Sequence, residues 1–142
     1  METLLDWKRP CRLEELPALL DTIESISARC GWGMALQTAI MTVVEELVVN
    51  VINYGGRQPV DGWFHVRIAG DADGLHVSLH DNGIAFDPFA EVDETEAELD
   101  LESRSVGGWG IHFVREMSDT HRYERVDGEN HVSLFKKWPA PQ

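Results

Sequence analysis

Thr42-Val43-Val44-Glu45-Glu46-Leu47-Val48-Val49-Asn50-Val51-Ile52-Asn53-Tyr54 is an apolar run that carries a polar stripe. With Leu36 and Ile40 upstream, its apolar residues recur at helical spacing. The pattern predicts a helix over about Met34 to Tyr54, ended by Gly55-Gly56. Glu46, Asn50 and Asn53 stand at steps of four and three, so one helical face presents all three. Such a stripe is either a solvated face or a set of groups awaiting partners, because an unpaired buried polar group costs about 1–3 kcal/mol. An Asn carbonyl is an oxygen ligand suited to Mg²⁺. A carboxylate one turn earlier can accept a proton from a hydroxyl.

Outward from this helix the order of elements becomes readable. Upstream, Leu16, Leu19, Leu20, Ile23 and Ile26 predict a helix from about Leu13 to Cys30, with Pro17 tolerable in its first turn and Gly31 and Gly33 stopping it. Downstream, Phe64, Val66 and Ile68 alternate, as do Leu75, Val77 and Leu79, with the turn at Asp71 to Gly74; these are strands. A third helix is expected over about Gly110 to Met117. Thr120 to Val126 and His131 to Lys137 then read as a hairpin around Asp127-Gly128. The predicted order is helix, helix, strand, strand, loop, helix, strand, strand. Helices segregated from antiparallel strands indicate an α+β fold, a two-layer sandwich. No internal repeat or Gly-, Pro- or Ser-rich linker divides the 142 residues, so one domain spanning 1–142 is expected.

Two further segments carry chemistry. Asp81-Asn82-Gly83-Ile84-Ala85-Phe86-Asp87-Pro88 directly follows a strand. An Asp held at a strand end can accept a hydrogen bond from an exocyclic amine, and glycine lets the backbone approach a planar ring. Gly107-Gly108-Trp109-Gly110 opens a helix, whose outward N–H groups suit phosphate. It matches neither the Walker loop nor the dinucleotide fingerprint, and alone it reads equally as a hinge.

Taken in order, Glu46-x-x-x-Asn50, Asp81-x-Gly83-x-Ala85-Phe86 and Gly108-x-Gly110 resemble the N, G1 and G2 boxes of the ATPase superfamily shared by gyrase, the Hsp90 chaperone, histidine kinases and MutL. Within it, the short chain and the Glu-x-x-x-Asn motif resemble the anti-sigma-factor serine/threonine kinases. The resemblance covers roughly Leu13 to Trp138. It implies the histidine-kinase-like ATPase (Bergerat) fold with a mainly antiparallel sheet. ATP and Mg²⁺ are implied as cofactors. Glu46 would be the general base toward a substrate serine, Asn50 the Mg²⁺ ligand, and Asp81, with Gly83, the acceptor of the adenine amine. Asn53, Ala85, Phe86, Arg104, Gly107, Gly108, Trp109 and Gly110 would complete the nucleotide site. Ser133 would stand near the adenine, and residues about 89–107 would form a lid. The implied partners are an anti-anti-sigma (STAS-type) protein substrate, a sigma factor, and a second copy of the chain, contacted through the first helix between Arg12 and Arg29. Tyr54 stands where family members often carry His. Seven carboxylates run from Glu91 to Glu102, with Arg104 the nearby cation. A non-catalytic ATP/ADP-dependent binding switch of the same fold is the second reading.

Composition narrows the function classes. A formal net charge of −13 argues against direct nucleic-acid binding. The N-terminus lacks a basic-then-apolar leader, and no apolar run is expected to approach the roughly 20 residues that span a bilayer, so a cytoplasmic location is expected. Cys11 and Cys30, without a base at motif spacing, read as buried thiols in a reducing setting. His76 and His80 alternate on a strand roughly 13 Å apart, too far to share a metal.

Overall fold

In the computed structural model, which describes residues 1–54, 61–91 and 108–140, five strands form one antiparallel sheet in the order β1-β2-β3-β5-β4. They are β1 (Glu2–Pro10), β2 (Trp63–Gly70), β3 (Gly74–Asp81), β4 (Thr120–Val126) and β5 (Glu129–Lys137). The helices are α1 (Leu16–Cys30), α2 (Met34–Tyr54), α3 (Pro88–Glu91) and α4 (Gly108–Met117). The α+β two-layer arrangement follows from period. Phe64, Val66 and Ile68 on β2, Leu75, Val77 and Leu79 on β3, and Val132 and Leu134 on β5 are buried on one face of the sheet. Leu19, Ile23, Ile40, Val43, Val44, Leu47 and Val48, from α1 and α2, join them in the core. Each fully buried side chain of this size contributes about 1.5–3 kcal/mol. The α2 helix packs against both α1 and α4, and along its polar stripe Asn50 is buried, Glu46 half-buried and Asn53 exposed.

Three expectations change. The chain begins with a strand, β1, paired antiparallel to β2, where no element was expected. Its alternation is broken by a register shift between Thr3 and Leu5, and Leu5 is its one buried residue, as befits an edge strand. The first helix is shorter than expected, because Leu13–Glu15 form a 3₁₀ turn and the α-helix starts at Leu16, with Pro17 in its first turn. Finally, Met34–Asn53 has a mean hydropathy of 1.5 and is long and apolar enough to cross a bilayer, contrary to the expectation of no such run. Its apolar side instead meets α1, α4 and the sheet, as the buried Ile40, Val43, Val44, Leu47 and Val48 show.

The closing hairpin has the expected turn. Asp127 and Gly128 both have positive φ, 49° and 79°, the type I′ geometry that matches strand twist and that an Asp-Gly pair adopts readily. Register follows from it: Asn130 lies opposite Asp81, and His131 opposite His80. Of the two cysteines, Cys11 is half-buried and Cys30 is exposed at the end of α1, so the second is not the buried thiol expected.

Candidate functional site

The inward end of β3 carries Asp81, a carboxylate only 5% exposed. Its Oδ1 accepts hydrogen bonds from the Gly83 N–H at 2.9 Å and from Asn130 Nδ2 at 3.0 Å. Its Oδ2 has no partner among the described residues. Burial pushes the Asp81 carboxyl up from the usual range, against the opposing pull of the Asn130 and Gly83 hydrogen bonds and of Arg125. Asn130 is the hub of this corner. Its Nδ2 also donates to the Ile84 carbonyl at 2.7 Å, and its Oδ1 accepts from Tyr123 Oη at 2.6 Å, Arg125 Nη1 at 3.1 Å and the Phe86 N–H at 3.2 Å. Arg125 Nη1 also donates to the Gly83 carbonyl at 2.8 Å. The segment after Asp81 is therefore fixed from both ends: Asn82 Oδ1 accepts from the Trp63 N–H, and Asp87 caps α3 through the Phe89 N–H.

Across a narrow slot from Asp81 lies Asn50 of α2, with Leu47, Phe86 and Asn130 also on its wall. Asn50 is 2% exposed, and both its Oδ1 and its Nδ2 are buried without a hydrogen-bond partner among the described residues. Two such orphans cost about 1–3 kcal/mol each. An oxygen and an N–H aimed into a slot beside a carboxylate fit a polar ligand, and the oxygen fits a hard cation.

One turn earlier, Glu46 is half-buried. Burial, and after it the charge of Glu45, raises its carboxyl above the usual range. Its carboxylate lies against Gly110 in the first turn of α4, and a Cβ at that glycine would overlap Glu46 Oε2. The glycine thus permits the helix N-terminus, with its outward N–H groups, to meet the carboxylate side of α2. The Arg115 guanidinium, later in α4, donates to the Phe89 carbonyl and ties α4 to α3.

A family model described as the histidine kinase-like ATPase domain matches residues 10–136. The chain belongs to this family. Over 112 residues it is 24% identical to the serine/threonine-protein kinase BtrW of Bordetella bronchiseptica, an alignment covering 79% of this chain and 78% of that protein. It also superposes on the solved structure of the RsbU and RsbW domains of Rv1364c from Mycobacterium tuberculosis. The TM-score is 0.63 at 14% identity, over 96% of this chain and 33% of that one. The chain therefore spans about a third of that solved structure, and the likeness is one of fold.

In this ATPase domain, Glu46, Asn50, Asp81, Gly83, Phe86 and Gly110 converge on one side of the sheet, as the order of the three boxes implies. Ala85 lies exposed on the segment after Asp81, and Gly108 and Trp109 are the first two residues of α4. Arg104, Gly107 and most of the expected lid lie outside the described residues. Asn53 is exposed and does not join Asn50 on the wall of the slot. Ser133 is a correction. It is exposed on the face away from the helices, opposite Ser78, since it alternates with the inward Val132 and Leu134. The wide, open concavity around Ser133, His76 and Ser78 is likewise remote from Asp81.

Asn130, rather than Ser133, is the β5 residue that faces inward beside Asp81. Counting back by twos from Leu134 and Val132 points inward at Asn130, directly opposite Asp81. That strand period was the available signal. Nothing in the spacing singled out Tyr123 or Arg125, which meet Asn130 across the hairpin.

Proposed function

We propose that this chain binds ATP with Mg²⁺ and acts as a serine/threonine protein kinase of the anti-sigma-factor type, on a small anti-anti-sigma (STAS-type) protein. The observation that carries the reading is Asn50, a buried side-chain amide with both polar atoms unpartnered among the described residues, across a slot from a buried Asp81. In this reading the free Asp81 Oδ2 accepts the exocyclic amine of adenine, while Oδ1 stays committed to Gly83 and Asn130. Asn50 Oδ1 holds the cation, which neutralises phosphate charge when bound. The first turn of α4 offers its N–H groups to the phosphates, and Glu46 accepts the proton of the substrate hydroxyl. The raised Glu46 carboxyl is a stronger proton acceptor than an exposed carboxylate, which suits a base. The whole chain serves as one ATP-binding domain, with residues about 89–107 as its lid.

The similarity to a bacterial serine/threonine-protein kinase supports the same reaction class. A sigma factor as second partner, a homodimer contacted through α1, and a cytoplasmic location belong to the same proposal; direct contact with nucleic acid or membrane does not. The test is transfer of the γ-phosphate of ATP to serine in a candidate small partner protein. Wild type is expected to transfer, and Glu46→Gln to bind ATP without transferring. Equal transfer by both would remove Glu46 from the reaction.

A second reading is a non-catalytic switch that holds ATP or ADP and changes partners. It is favoured by the seven carboxylates from Glu91 to Glu102, which would repel phosphates if that segment closed over them. Phosphoserine formed by the purified wild-type protein would exclude it.

A further inference from the structure

On the face of the sheet away from the helices, the register lines up His65 of β2, His80 of β3 and His131 of β5 across three neighbouring strands. His65 is held at one end of this row by Asp6, its Nε2 at 2.5 Å from Oδ1. At the other end the His80 and His131 rings stack, with centroids 3.6 Å apart and planes 13° from parallel. Glu129, two residues before His131 on the same strand and therefore on the same face, places Oε1 3.0 Å from His131 Nε2. One ligand atom from each of His80, Glu129 and His131 lies within 4.8 Å of the other two, and all three side chains are half-buried. The ATPase reading uses none of these groups.

We propose that His80, His131 and Glu129 form a binding site for a divalent transition-metal ion of the zinc type. Two imidazoles and one carboxylate are the ligand types such ions take, and the fourth position would be filled by water. Hard ions such as Mg²⁺ and Ca²⁺ prefer all-oxygen sets and are disfavoured. The backbone supplies the preorganisation: His80 and His131 are direct cross-strand partners, so their Cβ atoms are fixed by the ladder rather than by a loop. Tetrahedral bonds of about 2.0–2.2 Å need ligand atoms about 3.3 Å apart. The ligand atoms lie within 4.8 Å of one another, and holding an ion would require the imidazole and carboxylate side chains to turn toward a common point. Burial, and then the neighbouring His131, hold the His80 imidazole below its usual range, which keeps its lone pair available. His76, although on the same strand, is committed to Asp71 at 2.7 Å and lies against the Phe135 ring in a tilted arrangement.

The position gives the site a consequence. His80 precedes Asp81, and His131 follows Asn130, so an ion here ties β3 to β5 directly behind the Asp81–Asn130 hydrogen bond.

Zinc chloride titrated calorimetrically into the full chain, free of nucleotide and chelator, tests the proposal independently of any kinase activity. One zinc per chain is expected. Affinity should fall by about tenfold or more in His80→Gln and in His131→Gln, less in Glu129→Gln, and stay unchanged in His76→Gln. In parallel, the imidazole ¹⁵N resonances of His80 and His131 in the wild type should shift with zinc while those of His76 stay put. This readout does not depend on any variant folding. Absence of zinc binding, affinity unchanged in both histidine variants, or resonance shifts at other histidines alone would overturn the site.

Discussion

The two faces of the sheet place polar groups at the same strand ends under opposite conditions. Inward, Asp81 and Asn130 lie at 5% and 3% exposure, among apolar side chains and beneath a helix layer. Outward, one residue along each strand, His80 and His131 stack half in water. On the inner face a buried polar atom has a cost unless it is paired, so the orphaned amide of Asn50, beside the buried Asp81, points to a ligand. On the outer face burial makes no such argument, because water satisfies whatever the protein does not. There a site is recognised by convergence of ligand atoms alone. The same strand thus holds two kinds of information, readable by energetics on one side and by geometry on the other.

Substitutions that cross from one face to the other sharpen this contrast. The largest effect is expected from Asn130→Ala, which strips Asp81 Oδ1, Tyr123 Oη, the Phe86 N–H and the Ile84 carbonyl of a partner at once. Stability should fall by about 3 kcal/mol in urea unfolding. Ser133→Ala, three residues on but facing outward, should stay within about 0.5 kcal/mol. Equal losses in the two would erase the distinction between the faces.

Next comes Gly110→Ala, whose Cβ meets the Glu46 carboxylate. Overpacking of this kind costs about 1–3 kcal/mol, and the α4 N-terminus should move away from α2. The expected readout is a lowered Tm together with weakened ATP binding. Asn50→Leu has the opposite stability sign. Replacing unpaired polar atoms by an apolar side chain of similar size should raise stability by about 1 kcal/mol while MgATP affinity collapses. The exposed Asn53→Ala should alter stability by less than about 0.5 kcal/mol. A destabilised Asn50→Leu would mean that the amide is already satisfied.

The smallest effect is in pH dependence. Asp81 and Glu46 both have carboxyls raised by burial. For a group whose pKa is raised on folding, the stabilising contribution is full below the unfolded value, about 4, and is lost as pH rises through the folded value. Wild-type stability should therefore decline as pH rises from about 4 toward neutrality more than that of Asp81→Asn, measured as urea midpoints across that range. Parallel profiles would deny the raised carboxyl.

Much of this was legible in the residues. The α2 helix ran from Met34 to Tyr54 as its period required, and the Asp-Gly turn fixed the closing hairpin. The three boxes name Glu46, Asn50, Asp81 and Gly110 as one set, and the fold brings Asn50 beside Asp81 and Glu46 against Gly110. What escaped was set by pairing rather than by pattern. β1 has a single buried residue and a register shift, so only its partner β2 makes it a strand. Ser133 fell on the wrong face of the sheet, because the resemblance that suggested it carries no strand register, while Val132 and Leu134 alternate inward on either side of it. The histidine row is invisible along the chain, since His65, His80 and His131 become neighbours only through strand register.

Isothermal titration of ATP with Mg²⁺ into the wild type and Asp81→Asn bears most directly on the central claim that this slot holds adenine against Asp81. Asn keeps an oxygen for the Gly83 and Asn130 donors but presents an N–H where Oδ2 stood. The account predicts saturable 1:1 binding by the wild type and an affinity lower by about a hundredfold in Asp81→Asn, the scale of losing a hydrogen bond to a buried charged group. Equal affinity in the two proteins would contradict it.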